Sequence, residues 1–438
     1  MTTATITATV LSDLEHRRQL RRAVIASTIG TTIEWYDFFL YGTVTGLVFA
    51  KLYFPTSDPL VGTLQAYAVF FAGFVARPVG AALFGHYGDR IGRKSTLIAT
   101  LLLTGFATFA IALVPTYEQI GIWGAVLLLV LRFVQGVGVG GEWSGSVLLS
   151  MEWAKTNAHR GFIASWPQFG SPCGLALATL AVLAFSALSG EQFLTWGWRI
   201  PFLLSLVMVG IGLYIRLGIL ETPVFARILS EERVERAPVI EVLKCQPKEV
   251  LLTALARMGE QAPGYIYIVY IFTYGTEVLG ASRDFLLLGV LTTALLSMLW
   301  VPIAGHLSDR MGRKRMYLIA AAISGGFGFL YFALLGTRSP VVMFVAIALS
   351  WLPVMNMYGP QAALIAESFA PRLRYSGAGL GYQLASIIAG GPAPFIATAL
   401  VAAFHSGYAI ACYILGCGVI SMVAAVLLTD YTNKDISS

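Results

Sequence analysis

Charge is scarce in this sequence. Asp, Glu, Lys and Arg make up 12% of its 438 residues, about half the share that soluble domains carry, which is too little to clothe an ordinary water-facing surface. Cysteine is scarcer. The four present, Cys173, Cys245, Cys412 and Cys417, follow no metal-ligand spacing and imply no disulfide framework, so they read as packing residues. Of the histidines, His86, His159, His306 and His405 fall at loops or helix ends without ligand spacing, and no metal or other cofactor is expected. Catalytic signatures are missing too: there is no Gly-x-Ser-x-Gly, no His-Glu-x-x-His and no Walker loop, and too little chain lies outside apolar runs to hold a catalytic domain. An enzyme is not expected. Gly136-x-Gly138-x-x-Gly141 spells a dinucleotide fingerprint, but that chemistry needs a preceding strand and a βαβ unit, and neither is there.

What is abundant is hydrophobicity, at 57%. A bilayer-spanning helix needs about 20 mostly apolar residues, and twelve such runs recur, over 22–50, 60–84, 96–115, 120–142, 160–188, 199–218, 251–276, 285–304, 316–336, 340–366, 376–403 and 408–429. Non-helical backbone cannot face hydrocarbon, so the class is an all-α polytopic membrane protein. The net charge of +6 is not a nucleic-acid signal. Of 29 Lys and Arg, 22 fall in the N-terminus, the even-numbered loops and the C-terminus, and only Lys51, Arg199, Arg283 and Arg338 near the other side. By the positive-inside rule both termini are then cytoplasmic. The polar start, with Arg17, Arg18, Arg21 and Arg22 before a long helix, argues against a cleaved signal peptide.

Half the chain repeats the other half. Gly85-His86-Tyr87-Gly88-Asp89-Arg90-Ile91-Gly92-Arg93-Lys94 returns as Gly305-His306-Leu307-Ser308-Asp309-Arg310-Met311-Gly312-Arg313-Lys314, identical at seven of ten positions and offset by 220 residues. Gln168 is echoed by Gln383 and Glu152 by Glu367, both offset by 215. The expected organisation is a tail at 1–21, a six-helix bundle at 22–218, a charged linker at 219–250, a second six-helix bundle at 251–429 and a tail at 430–438. The Gly-x-x-x-Asp-Arg-x-Gly-Arg-Lys loop resembles the signature loop of the major facilitator superfamily, and Arg132-x-x-Gln135-Gly136 resembles its fourth-helix motif. Glu34-Trp35-Tyr36-Asp37-Phe38, Arg77-Pro78-x-Gly80, Gly140-Gly141-Glu142-Trp143 and Trp196-Gly197-Trp198-Arg199-Ile200-Pro201-Phe202 are similar to its metabolite:proton symporter branch, which includes shikimate, α-ketoglutarate and proline/betaine permeases. The resemblance implies the major facilitator fold, twelve helices as two bundles with a site between them, acting as a monomer in the bacterial inner membrane on a small-molecule substrate and a proton. Arg257-x-x-Glu260 and Arg374-Tyr375-Ser376-Gly377-Ala378-Gly379 are closest to the shikimate-type members.

A charge at the centre of a membrane helix costs about 2.5–3.5 kcal/mol, so ionisable residues there are functional candidates. The set is Glu34, Asp37, Arg77, Arg132, Arg257 and Glu260. Glu34, Asp37 and Tyr41 share one face of the first helix, and Arg132, Gln135, Val139 and Glu142 form a stripe on the fourth. Asp37 is expected as the main proton carrier, Glu34 as a second, and Arg132 as the partner that tunes Asp37 or receives the substrate carboxylate. For substrate the candidates are Arg257 and Glu260, with Gln135, Gln168, Asn356 and Gln383 as amide partners and Tyr267 from an aromatic wall; arginine grips carboxylate bidentately. Snorkelling of Arg257 to the membrane edge is the competing reading.

Asp89 and Asp309 are placed to meet helix N-termini, and Arg93 and Arg313 to pair with Glu152 and Glu367. With Arg90, Arg310, Arg160 and Arg374 they form a candidate gate, which the resemblance implies holds the cytoplasmic side shut. Glu367 and Arg374 have six residues between them but Glu152 and Arg160 seven, a departure from the superfamily spacing in the first half. Prolines 167, 172, 392 and 394 suggest bends in the fifth and eleventh helices. The expected activity is proton-coupled uptake of a small organic acid by alternating access. A zwitterion symporter, a facilitator or an exporter remain as alternatives.

Overall fold

Long apolar runs fold as helices because only a helix satisfies its own backbone polar groups in hydrocarbon. The computed structural model describes residues 13–91, 93–152, 159–218, 238–432 and 434, and every regular element among them is a helix. The transmembrane helices are α1 (Asp13–Val44), α2 (Pro59–Ile91), α3 (Arg93–Ala112), α4 (Trp123–Glu152), α5 (Arg160–Ser189), α6 (Arg199–Leu217), α7 (247–278), α8 (Arg283–Met311), α9 (Arg313–Gly336), α10 (Pro340–Glu367), α11 (Pro371–Phe404) and α12 (Gly407–Leu427). Together α1–α6 and α7–α12 form the two six-helix bundles of the major facilitator fold.

Ten of these are long and apolar enough to cross a membrane on those grounds alone; α1 and α7 are not among them. Both carry buried ionisable side chains. Glu34, Asp37 and their Thr and Tyr neighbours lower the apolarity of α1, which ends in a π-turn at Thr45–Phe49. Helix α7 holds Glu260 and Gln261 and is broken into Pro247–Ala256 and Met258–Tyr265, then π-turns at Ile266–Tyr270 and Tyr274–Val278. Such turns cluster at functional sites. The expected bend in α11 is present as a π-turn at Ser386–Gly390, whereas α5 runs unbroken with both Pro167 and Pro172 inside it.

Close helix contact in the first bundle depends on absent side chains. A Cβ on Gly136 would collide with the Gly73 carbonyl of α2, and one on Gly140 with the Arg77 carbonyl, so this pair makes the expected small-residue face. The outer surface carries exposed Phe106, Leu180, Val207, Tyr214, Leu299 and Val423, an apolar belt suited to lipid. One apolar cluster joins the bundles through Phe38, Phe39, Phe70 and Phe74 on one side and Tyr265, Ile268 and Trp351 on the other.

Candidate functional site

The bundles touch at both ends. At the end carrying the repeated motif, the second copy is not the loop that its sequence suggests: α8 stays helical to Met311, and Gly312 turns the chain at φ 88°, a conformation open to glycine. Asp309 therefore projects from a helix. Its two carboxylate oxygens accept from the backbone N–H groups of Gly161 and Phe162, each at 2.9 Å, capping the start of α5 in the other bundle as expected. Arg313 holds Asp309 at 3.1 Å and Glu367 at 2.5 Å, and Glu367 also takes Arg160 of α5 at 3.1 Å.

Arg160 further donates to the Lys434 carbonyl at 2.5 Å, and Thr432 accepts from the Arg313 N–H at 3.0 Å, so the chain after α12 braces this cluster. Arg374 donates to the Phe369 carbonyl at 3.1 Å, turning within its own bundle. Arg310 is exposed at the rim. The side chains of Asp89, Arg90, Arg93 and Glu152, the first-half members of the expected gate, lie outside the described residues. At the opposite end, Tyr67 and Thr273 share a hydrogen bond of 2.8 Å and Ser186 donates to Asp284 at 3.2 Å.

Between these ends lies a cavity with room for about one water-sized body. Its walls are Trp35 and Phe39 of α1, Ser171 of α5, Glu260, Gln261, Gly264, Tyr265 and Ile268 of α7, and Trp351, Met355 and Tyr358 of α10. Beneath it, towards the motif end, Trp143 of α4 stacks on Tyr382 of α11 at 3.7 Å. Trp143 donates to Gln168 at 2.8 Å, and Gln168 donates to the Tyr358 carbonyl at 3.0 Å, so α4, α5, α10 and α11 form a polar floor that crosses the bundles.

Arg257 is fully buried rather than snorkelling. Its three nitrogens are engaged by Gln361 at 3.0 Å, the Tyr382 carbonyl and Glu260 at 3.1 Å, and its plane lies 3.2 Å from the Tyr382 ring centroid. It supports the floor and keeps no edge for a guest. Gln383 reaches the Gly140 carbonyl at 3.4 Å and so also joins the bundles. Asn356 does not face the cavity: it pairs at 2.9 Å with the exposed Trp300 on the outer side of α10. Tyr267 packs away from it as well, against Phe327 and Tyr331 inside the second bundle. Both depart from expectation because no ideal helical face carries through either segment: Tyr267 lies in the π-turn Ile266–Tyr270 of α7, and α10 is interrupted at Ser350–Trp351 ahead of Asn356.

A second small cavity sits within the first bundle, lined by Glu34 and Asp37 of α1, Thr100, Leu101 and Thr104 of α3, and Glu142 of α4. The expected Asp37–Arg132 pair is not formed. Ser205 of α6 donates to Asp37 at 2.5 Å, and the second Asp37 oxygen has no hydrogen-bond partner. Arg132 instead bonds Gln135 and, at 3.4 Å, the Phe70 carbonyl, enclosed by the rings of Phe38, Tyr41 and Phe70 within 4.8 Å. Cation–π contact compensates about 2 kcal/mol per desolvated guanidinium. Gln135 also donates to Thr108 at 2.7 Å, so its side chain is engaged within the first bundle.

Two residues named from the sequence have surroundings that the sequence did not reveal. Glu142 forms a buried ion pair with Arg216 of α6 and accepts from Thr100 at 2.7 Å; its place on the Arg132 stripe was the available signal. Arg77 is 1% exposed, its Nε and Nη2 have no acceptor, and its Nη1 reaches only the Ser386 hydroxyl of α11 at 3.5 Å.

A duplicated pair of six-helix bundles with a polar cavity at their junction is the architecture of a membrane carrier, and the chain belongs to the Major Facilitator Superfamily, whose sequence profile matches residues 27–394. It is 40% identical to the shikimate transporter of Escherichia coli strain K12, over 94% of each chain, and 38% identical to that organism's inner membrane metabolite transport protein YhjE, over 95% of each. It is also 31% identical to the proline/betaine transporter of the same strain, covering 95% of this chain and 85% of that one. Among solved structures, the proton:xylose symporter XylE bound to 6-bromo-6-deoxy-D-glucose shares the fold, with a TM-score of 0.76 at 19% identity, covering 96% of this chain and 98% of that one. The protein is a transporter and not an enzyme.

Proposed function

We propose that the chain is a proton-coupled symporter that carries a small organic acid into the cell by alternating access. The observation that carries the reading is the separation of two polar cavities: one between the bundles for the guest, and one within the first bundle where Glu34 and Asp37 each keep an oxygen without a hydrogen-bond partner. Asp37 is the main proton carrier and Glu34 the second. With no cation bonded to Asp37, protonation changes the net charge of a buried site, and such a change alters the free energy of opening it to water. Arg132 holds the surrounding helices together from its aromatic enclosure.

The Asp309–α5 cap and the Arg160–Glu367 pair must break for the motif end to open, and the Tyr67–Thr273 contact must break for the other. Both termini and the motif end face the cytoplasm in this reading, which the Lys and Arg distribution supports, and the carrier works as a monomer. The relatedness to a shikimate transporter supports a carboxylate guest. A zwitterion is the second reading, because Trp35, Tyr265 and Trp351 beside Glu260 resemble the aromatic surroundings that suit a quaternary ammonium.

Proteoliposome uptake of labelled shikimate, α-ketoglutarate, proline and glycine betaine under an imposed pH gradient tests the proposal. Accumulation of an acid that a protonophore abolishes is expected. Accumulation that the protonophore leaves untouched would favour a facilitator or exporter, and uptake of betaine alone would favour the second reading.

A further inference from the structure

We propose, resting on the organic-acid reading above, that Arg77 of α2 is the residue that takes the carboxylate of the transported acid. Among the described residues, four guanidinium groups lie buried away from the motif-end cluster, and they differ in what they have left to give. Arg257 is filled by Gln361, the Tyr382 carbonyl and Glu260. Arg216 is held by Glu142 and the Leu97 carbonyl. Arg132 is walled in by rings of its own bundle.

Of these four, Arg77 combines two open donors with a place at the junction. The Phe38 and Phe74 rings, 4.0 and 4.5 Å from its carbon, hold its face by cation–π contact, which leaves the edges of the plane free to bond. Nε and Nη2, the two nitrogens without an acceptor, make up one edge of the fork, and that edge has the spacing that receives both oxygens of a carboxylate. A buried guanidinium with an empty edge is costly to keep, because an unfilled donor in the interior forfeits its hydration. A guest that fills it recovers that loss, which lysine, as a compact point charge, would do less well.

The position is right for this. Arg77 lies 5.7 Å from the Trp35 ring and within electrostatic reach of the Tyr265 hydroxyl, and both residues line the central cavity. Arg77 is set behind that wall rather than in it, and the wall itself offers further groups, the Tyr265 hydroxyl beside Arg77, the Trp351 indole N–H and the Gln261 carbonyl oxygen. Two of these donate, so the rest of the guest is expected to carry hydroxyl or carbonyl oxygens. Arg77 also acts electrostatically on Glu34 in the neighbouring acid-lined cavity.

The test compares binding of shikimate and of its methyl ester, which lacks the charge, to purified wild type, Arg77→Gln and Arg77→Lys by isothermal titration calorimetry. A charge-assisted hydrogen-bonded pair corresponds to roughly 10- to 150-fold preference for the acid in the wild type. Arg77→Gln should bring the ratio to within about threefold of one, with Arg77→Lys intermediate; because the ratio is taken within one sample, an inactive fraction cancels. An unchanged ratio in Arg77→Gln, or a collapse in Arg257→Gln instead, overturns the assignment. Wild type that binds proline or glycine betaine but neither shikimate nor its ester overturns the organic-acid reading itself, a result visible without any variant.

Discussion

Replacing Asp309 by Asn should tip the transporter towards opening at the motif end. The carboxylate accepts two backbone N–H groups of α5 at 2.9 Å and pairs with Arg313 at 3.1 Å. Only the first two contacts cross between the bundles, so only they distinguish a closed from an open motif end; the Arg313 pair lies within the second bundle and cancels to first order. Asparagine keeps one acceptor, presents an N–H to the other donor and loses the charge that suits a helix N-terminus. Loss of one charge-assisted bond and of the dipole interaction amounts to about 2–4 kcal/mol, or about a 30- to 700-fold shift in the equilibrium between the two states. Spin labels at exposed Tyr87 of α2 and Met311 of α8, in a background with the four cysteines replaced, would report the separation across that end by double electron–electron resonance. A population at longer distance should appear in Asp309→Asn, while labels at Leu188 and Val341, at the opposite end, should draw together. Identical distance distributions in wild type and variant would show that the Asp309 contact does not hold the end closed.

Asp37→Asn should abolish uphill accumulation, leaving the internal to external ratio near one, while exchange of labelled for unlabelled substrate continues; proteoliposomes with and without a pH gradient check this. Glu142→Gln leaves Arg216 buried without its counter-charge, which costs about 3–5 kcal/mol, so the melting temperature in detergent should fall, and the double variant Glu142→Gln/Arg216→Met should recover most of the loss. Tyr382→Ala removes both the Trp143 stack and the face under Arg257. It should destabilise by about 3 kcal/mol or more, with Tyr382→Phe much milder, as read by thermal unfolding of the purified protein. Gly140→Leu drives a side chain into the α2 backbone at Arg77 and should prevent recovery of a monodisperse protein by size-exclusion chromatography.

The contrast between Asp37 and Asp309 shows where sequence reasoning held and where it stopped. Both acids were singled out from one-dimensional pattern, one as a charge in an apolar run and the other as part of a repeated motif. The cap made by Asp309 follows from chemistry that is local: a carboxylate near a helix start has one favourable use. The partner of Asp37 does not follow, because Arg132 and Ser205 stand on different helices, and which of them meets α1 depends on how each helix is rotated about its axis. The expected arginine lost that contest to aromatic rings that enclose it.

Apolar run length, the 220-residue repeat and the motif residues by themselves determined the helices, their number, the two-bundle plan and the superfamily, since a bilayer leaves the backbone only one way to bond and a duplication is visible as spelling. Which arginine is filled and which is empty was decided by tertiary structure alone. Arg257 and Arg77 look alike in an apolar string, yet the break in α7 brings the first against Gln361 and the Tyr382 carbonyl, while the close approach of α2 and α4 over Gly136 and Gly140 sets the second among rings with an edge unbonded. Hydrogen-bond satisfaction is a property of neighbours in space, and no residue carries it in its name.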